Sequence, residues 1–106
     1  MMFKKYLIDL ILTGKKTMTS RSKPLYKPGD ITNLMANKDY SKISGKHIQI
    51  TKVYQKTLAN FTNLDAQKEG FQNLQSFRQY WVKNIGLWNP QIIVWVHQFE
   101  VVLKEK

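Results

Sequence analysis

The run Gln91–Leu103 limits the architecture of this chain more than any other segment. Ile93, Trp95, His97, Phe99, Val101 and Leu103 alternate onto one side of an extended segment, and Ile92, Val94, Val96 and Val102 onto the other. A strand that is apolar on both faces needs cover on both faces for most of its length, which places it inside a sheet. It is the longest strand signal in the sequence. A chain of 106 residues holds one domain, read here as 1–106, and has no room for a second core. The 42% hydrophobic content and thirteen aromatic residues suffice to build that single core.

Shorter signals supply the rest. Phe3, Tyr6, Leu7, Leu10 and Ile11 recur at helical spacing, predicting a helix over residues 3–13, with Gly14 free to take the positive φ of a helix end. A short strand is expected over 16–21, then a loop in which Lys27-Pro28-Gly29-Asp30 forms a type II turn. Ile31–Met35 reads as the next strand and Asn37–Gly45 as a mobile polar loop. In His47–Leu58 the apolar alternation slips between Ile50 and Val53, the signature of a bulge. Thr62 with Asp65 forms a capping box for a short helix that Gly70 ends. Asn73 caps another, with Leu74, Phe77, Trp81 and Ile85 on one face and Pro90 barring its continuation. The sum is an α+β, barrel-like domain.

Fifteen lysines and two arginines against seven acidic residues give a formal net charge of +10. An excess of that sign suits nucleic acid, although a lysine-rich solvated surface is the alternative. The octet Gly14-Lys15-Lys16-Thr17-Met18-Thr19-Ser20-Arg21 concentrates cations and hydroxyls at a helix-to-strand junction, a surface suited to a nucleotide phosphate. In a regular strand Thr17, Thr19 and Arg21 share one face and Lys16 points away from Thr19. Lys16 and Thr19 meet only if Lys16 belongs to the turn or a bulge intervenes.

With no cysteine, disulfides and thiolate metal sites are excluded. His47 and His97, far apart in the chain, make a poor metal site, and His97 reads as a packed strand residue. No signal peptide and no run of roughly 20 apolar residues is visible, which fits a cytoplasmic protein. No cofactor, metal or membrane partner is expected, and a monomer is favoured.

The octet resembles a signature of ASCH domains, Gly-x-Lys-x-x-Thr-x-Arg, whose four fixed positions are filled by Gly14, Lys16, Thr19 and Arg21. Pro28-Gly29-Asp30 and Lys68-Glu69-Gly70-Phe71, followed by Phe77 and Trp81, match further landmarks of the family in order. The resemblance covers essentially the whole chain. It implies a PUA-like β-barrel of five or six strands with flanking helices, and an RNA-binding cleft with a basic rim. It also implies an alternative. Some small members of the family are amidohydrolases acting on N4-acetylcytidine through a Lys, a Thr and a Glu, here Lys16, Thr19 and Glu69, and another is a ribonuclease acting on single-stranded RNA.

The amide chemistry is coherent if Thr19 attacks a carbonyl while a neutral Lys16 takes its proton, which requires burial or nearby cations to lower the lysine pKa by roughly 3 units. Lys15 and Arg21 would assist, whereas an ion pair with Glu69 would oppose. Lys16 and Thr19 are expected outside the hydrophobic core. For nucleic-acid binding the candidate residues are Lys15, Lys16, Thr17, Thr19, Arg21 and Trp88, the last on the loop before Pro90. Trp81 and Trp95 lie on apolar faces and read as core.

Overall fold

The structure, a computed structural model, describes residues 1–36 and 42–103, with the side chains of 42–45 and 103 excepted. Strand β1 (Met2–Phe3) leads into helix α1 (Lys5–Leu12), followed by β2 (Met18–Arg21), β3 (Ile31–Ala36) and β4 (Lys42–Thr57). Helices α2 (Asn63–Lys68) and α3 (Leu74–Asn84) precede the last strand, β5 (Ile93–Leu103). The strands form one mixed sheet in the order β1-β3-β4-β5-β2, with β1 parallel to β3 and the other pairs antiparallel.

β5 lies between β4 and β2, as its two apolar faces demand. One face packs Ile48, Ile50 and Phe99 against Phe3, Leu7, Ile8 and Ile11. The other packs Met18, Val94 and Val96 against Phe61, Ala66, Phe77 and Trp81. The slip in β4 is a register shift between Ile50 and Lys52, after which Val53 stands opposite His97.

Three expectations need correction. The sheet is not closed: β1 and β2 are its two edges, so barrel describes its curvature only loosely. Helix α1 begins at Lys5, because Lys4 is extended and Phe3 pairs with Ala36 in β3. Its buried stripe is therefore Leu7, Ile8 and Ile11, and Tyr6 is exposed. The longest strand is β4, with 16 residues, rather than β5. Polar residues such as Gln49 and Lys52 punctuate β4 and hide its length from a hydrophobic count. Residues 37–41 of the expected polar loop lie outside the described residues, and Lys42–Gly45 belong to β4.

The caps behave as read. The Thr62 hydroxyl accepts from the Asp65 amide while the Asp65 carboxylate accepts from the Thr62 amide. Asn73 accepts from the Ser76 amide at 2.9 Å. The turn Lys27–Asp30 closes with the Asp30 amide donating to the Lys27 carbonyl at 3.0 Å and Gly29 at φ 97°. No helix among the described residues is long and apolar enough to cross a membrane.

Candidate functional site

Two helix ends meet at the site. At the end of α1 the Gly14 amide donates to Ile11 and the Lys15 amide to Leu10, a Schellman motif with Gly14 at φ 82°. At the end of α2 the Gly70 amide donates to Gln67 and the Phe71 amide to Ala66, the same motif with Gly70 at φ 101°. The Thr17 amide then donates to the Lys68 carbonyl at 2.7 Å, tying the two ends together. Lys16 is held in the turn before β2, and that resolves the geometric problem it posed in the sequence.

The Lys16 ammonium is buried and saturated. It donates to the Glu69 carbonyl at 2.8 Å, the Met18 carbonyl at 2.9 Å and Glu69 Oε1 at 3.2 Å, using all three of its hydrogens. Lys16 and Glu69 are each 3% exposed. A cation on the C-cap carbonyl of α2 also offsets the unfavourable placing of a glutamate at a helix C-terminus. Burial pulls the Lys16 pKa below its ordinary 10.5; the Glu69 carboxylate opposes this and Arg21 reinforces it.

Ser20 completes the group, its hydroxyl donating to Glu69 Oε2. Thr19 Oγ1 instead accepts from Arg21 at 2.9 Å. Arg21 reaches across the open seam of the sheet and donates to the Met2 carbonyl at 3.0 Å, with its guanidinium 5.2 Å from the centre of the Phe3 ring. Burial lowers the Arg21 pKa from its ordinary value, with Glu69, Tyr80 and Tyr26 acting the other way, and an arginine remains a cation at neutral pH.

These side chains line a narrow cleft at the seam with a volume of about 70 Å³, walled by Phe3, Phe71, Tyr80 and Trp81 and bordered by Lys4. A single water needs roughly 10–15 Å³ by this measure, so the cleft has room for about five to seven waters. Burial raises the Tyr80 pKa above 10, keeping its hydroxyl protonated at neutral pH.

Of the residues expected at the site, Lys16, Thr19, Arg21 and Glu69 come together here. Lys15 is exposed, and Thr17 lines a separate groove between α1 and β5. Trp88 lies on the far side of α3, edge-on to Phe77 and Trp81 and stacked under Arg78 at 5.1 Å, beside a groove of about 770 Å³. Lys16 and Thr19 are buried rather than outside the core, because the charged cluster sits between the sheet edge and two helix ends. Trp81 is core, whereas Trp95 is only half-buried. Sequence reasoning missed Ser20. Strand alternation places it opposite Thr19, but β2 is an edge strand, and side chains from both its faces reach the seam. Among the described residues no three His, Asp or Glu side chains gather as a metal site.

An open α+β sheet with a buried lysine–glutamate pair at its seam defines a small cleft-bearing domain. The sequence matches the ASCH domain family over residues 1–103, so the chain belongs to that family. Among solved structures it is similar to an ASCH domain from Lactobacillus crispatus, with 20% identity, a TM-score of 0.72, and coverage of 93% of this chain and 72% of that one. It is also similar to protein EF3133 of Enterococcus faecalis, at 21% identity and TM-score 0.67, covering 92% of this chain and 68% of that one. For ZmASCH of Zymomonas mobilis, solved as a point mutant, the values are 18%, 0.63, 94% and 66%. At these identities the likeness is one of fold. None of the curated proteins matches the sequence.

Proposed function

We propose that the seam cleft binds RNA, receiving one unpaired base of a single strand while the basic rim holds its phosphate. The observation that carries this reading is the meeting of charged hydrogen-bonding groups and aromatic walls in one narrow space. Single-stranded RNA is read by stacking on aromatic rings and by hydrogen bonds to exposed base edges. Phe3, Phe71 and Tyr80 supply rings, Glu69 an acceptor, and Arg21 a planar fork matched to a phosphate or a base edge. The net charge of +10 supplies the long-range attraction.

A salt titration of single-stranded RNA binding, followed by fluorescence anisotropy, tests this. Affinity falls steeply as salt rises, as counterion release requires. Arg21→Ala weakens binding by about 10-fold or more at every salt concentration, the effect of losing a charge-assisted contact. Lys52→Ala, an exposed lysine on β4 away from the cleft, loses a few-fold at low salt and nothing at high salt. Parallel behaviour of the two variants would mean diffuse surface attraction and would end the cleft reading.

A second reading, a hydrolase acting on a nucleic-acid component without a metal, is favoured by one contact, the Ser20 hydroxyl on Glu69 Oε2 beside Lys16. In that reading the hydroxyl that attacks is Ser20 or Thr19, and Glu69 or a deprotonated Lys16 is the base. Pure protein then converts N4-acetylcytidine to cytidine and acetate, faster as pH rises and the Lys16 ammonium loses its proton. Glu69→Gln lowers the rate by about 10²–10⁴-fold, and comparing Ser20→Ala with Thr19→Ala identifies the nucleophile. No cytidine over hours by chromatography, and no cleavage of labelled single-stranded RNA, leaves a reader without catalysis.

A further inference from the structure

We propose that the groove between Tyr26 and Trp95 is a second stacking subsite, which takes the base adjacent to the one in the seam cleft. The inference rests on the RNA-binding reading above and extends it from one nucleotide to two.

The groove has a volume of about 400 Å³ and is lined by Pro24, Tyr26, Lys27, Pro28, Val53 and Trp95, among others. It adjoins the cleft at one cross-strand pair. In the β2–β5 ladder Arg21 stands directly opposite Trp95, and such partners lie about 4.5–5.5 Å apart on the same face of the sheet. Arg21 lines the cleft and Trp95 lines the groove, so this pair stands at the boundary of the two spaces. A phosphate held there joins a base in the cleft to a base in the groove.

One wall is braced by a residue that the cleft does not use. His97 is fully buried, its ring edge-on to Tyr26 at 6.3 Å, and its Nδ1 lies 3.1 Å from the Trp95 backbone carbonyl. The Tyr26 ring thus has a fixed neighbour before any ligand arrives, which limits the ordering that binding requires. Lys27 and Asp30 both border the groove, and the Asp30 carboxylate accepts from the Lys27 amide at 3.0 Å. Stacking on rings tolerates any base, so this subsite adds affinity with little sequence preference.

Calorimetry with the four ribonucleoside monophosphates, and with dinucleotides built from the tightest of them, tests the inference. In the native protein the dinucleotide binds about 5- to 150-fold tighter than the mononucleotide, the range expected for one stacked base. Trp95→Ala removes that gain and leaves mononucleotide affinity unchanged. Trp95→Phe keeps a ring in the groove and retains most of the gain, which separates lost stacking from a disturbed fold. A dinucleotide no tighter than the mononucleotide in the native protein overturns the subsite and leaves the cleft standing. Equal losses for both ligands in Trp95→Ala also overturn it. Absence of mononucleotide binding overturns the cleft reading itself, and the subsite with it.

Discussion

Replacing Lys16 with alanine destabilises the protein by about 3–5 kcal/mol, the usual consequence of leaving one partner of a buried ion pair alone. The expectation follows from geometry: Glu69 is 3% exposed and keeps only the Ser20 hydroxyl as a side-chain partner once the ammonium is gone. The carbonyls of Met18 and Glu69 lose their shared donor as well. Removing both charges together, as Lys16→Met with Glu69→Leu, restores most of the stability because neither charge is then stranded. Urea unfolding of the two variants reads the difference, and a double variant as unstable as Lys16→Ala would show that the pair is not what holds the seam. The pH dependence has a definite sign. Because burial lowers the folded Lys16 pKa, the unfolded chain binds more protons between that value and 10.5, and stability rises with pH across the interval. Lys16→Met lacks this rise, and the difference from the native protein is best read below pH 10, before the tyrosines ionise.

Gly70→Ala destabilises by about 2–5 kcal/mol, against about 1–2 kcal/mol for Gly14→Ala. Both glycines hold a positive φ, which disfavours any residue with a Cβ by about 1–2 kcal/mol. Only Gly70 adds crowding. A Cβ there meets Leu10 Cδ1 at 3.1 Å and Lys16 Cβ at 3.3 Å, whereas at Gly14 nothing lies within 4 Å. Overpacking of this kind adds about 1–3 kcal/mol. In a domain this size each kcal/mol moves the melting temperature by roughly 4–8 °C, so thermal melts separate the two variants. Equal shifts would mean that α1 and α2 do not press on each other through Gly70. The Gly70 variant also displaces Lys16 and weakens RNA binding, which the Gly14 variant does not.

The sequence made the sheet's interior legible because β5 carries its burial on both faces, and the caps legible because Thr62, Asn73, Gly14 and Gly70 each have a local reason to be there. It did not reveal β1. A two-residue parallel strand has no period, and its pairing with Met35 and Ala36 is visible only in three dimensions. The candidate site was half legible. Lys16, Thr19, Arg21 and Glu69 came from the family resemblance; the burial of Lys16, Thr19 and Glu69 did not, since a charge cluster enclosed by two helix ends looks in sequence like an exposed junction. Ser20 was hidden by strand alternation, which says which face a residue takes but not that both faces of an edge strand meet in one cleft. Trp88 looked like a loop residue facing ligand; it is half-buried against Phe77, Trp81 and Arg78 and lines a groove separate from the seam cleft.

An open sheet is a hazard in solution, because unpaired amides and carbonyls along an edge invite another chain to add itself as a strand. Here the long strands, β4 with 16 residues and β5 with 11, are interior, and the edges are left to β1 with two residues and β2 with four. The Arg21 side chain takes up the Met2 carbonyl, one of the few acceptors that β1 offers. β1 and β2 therefore offer a stray strand only short templates, and the positive charge of each copy repels the next. Arg21→Ala accordingly exposes an edge as well as emptying the cleft, and it makes the protein more prone to self-association as salt is raised.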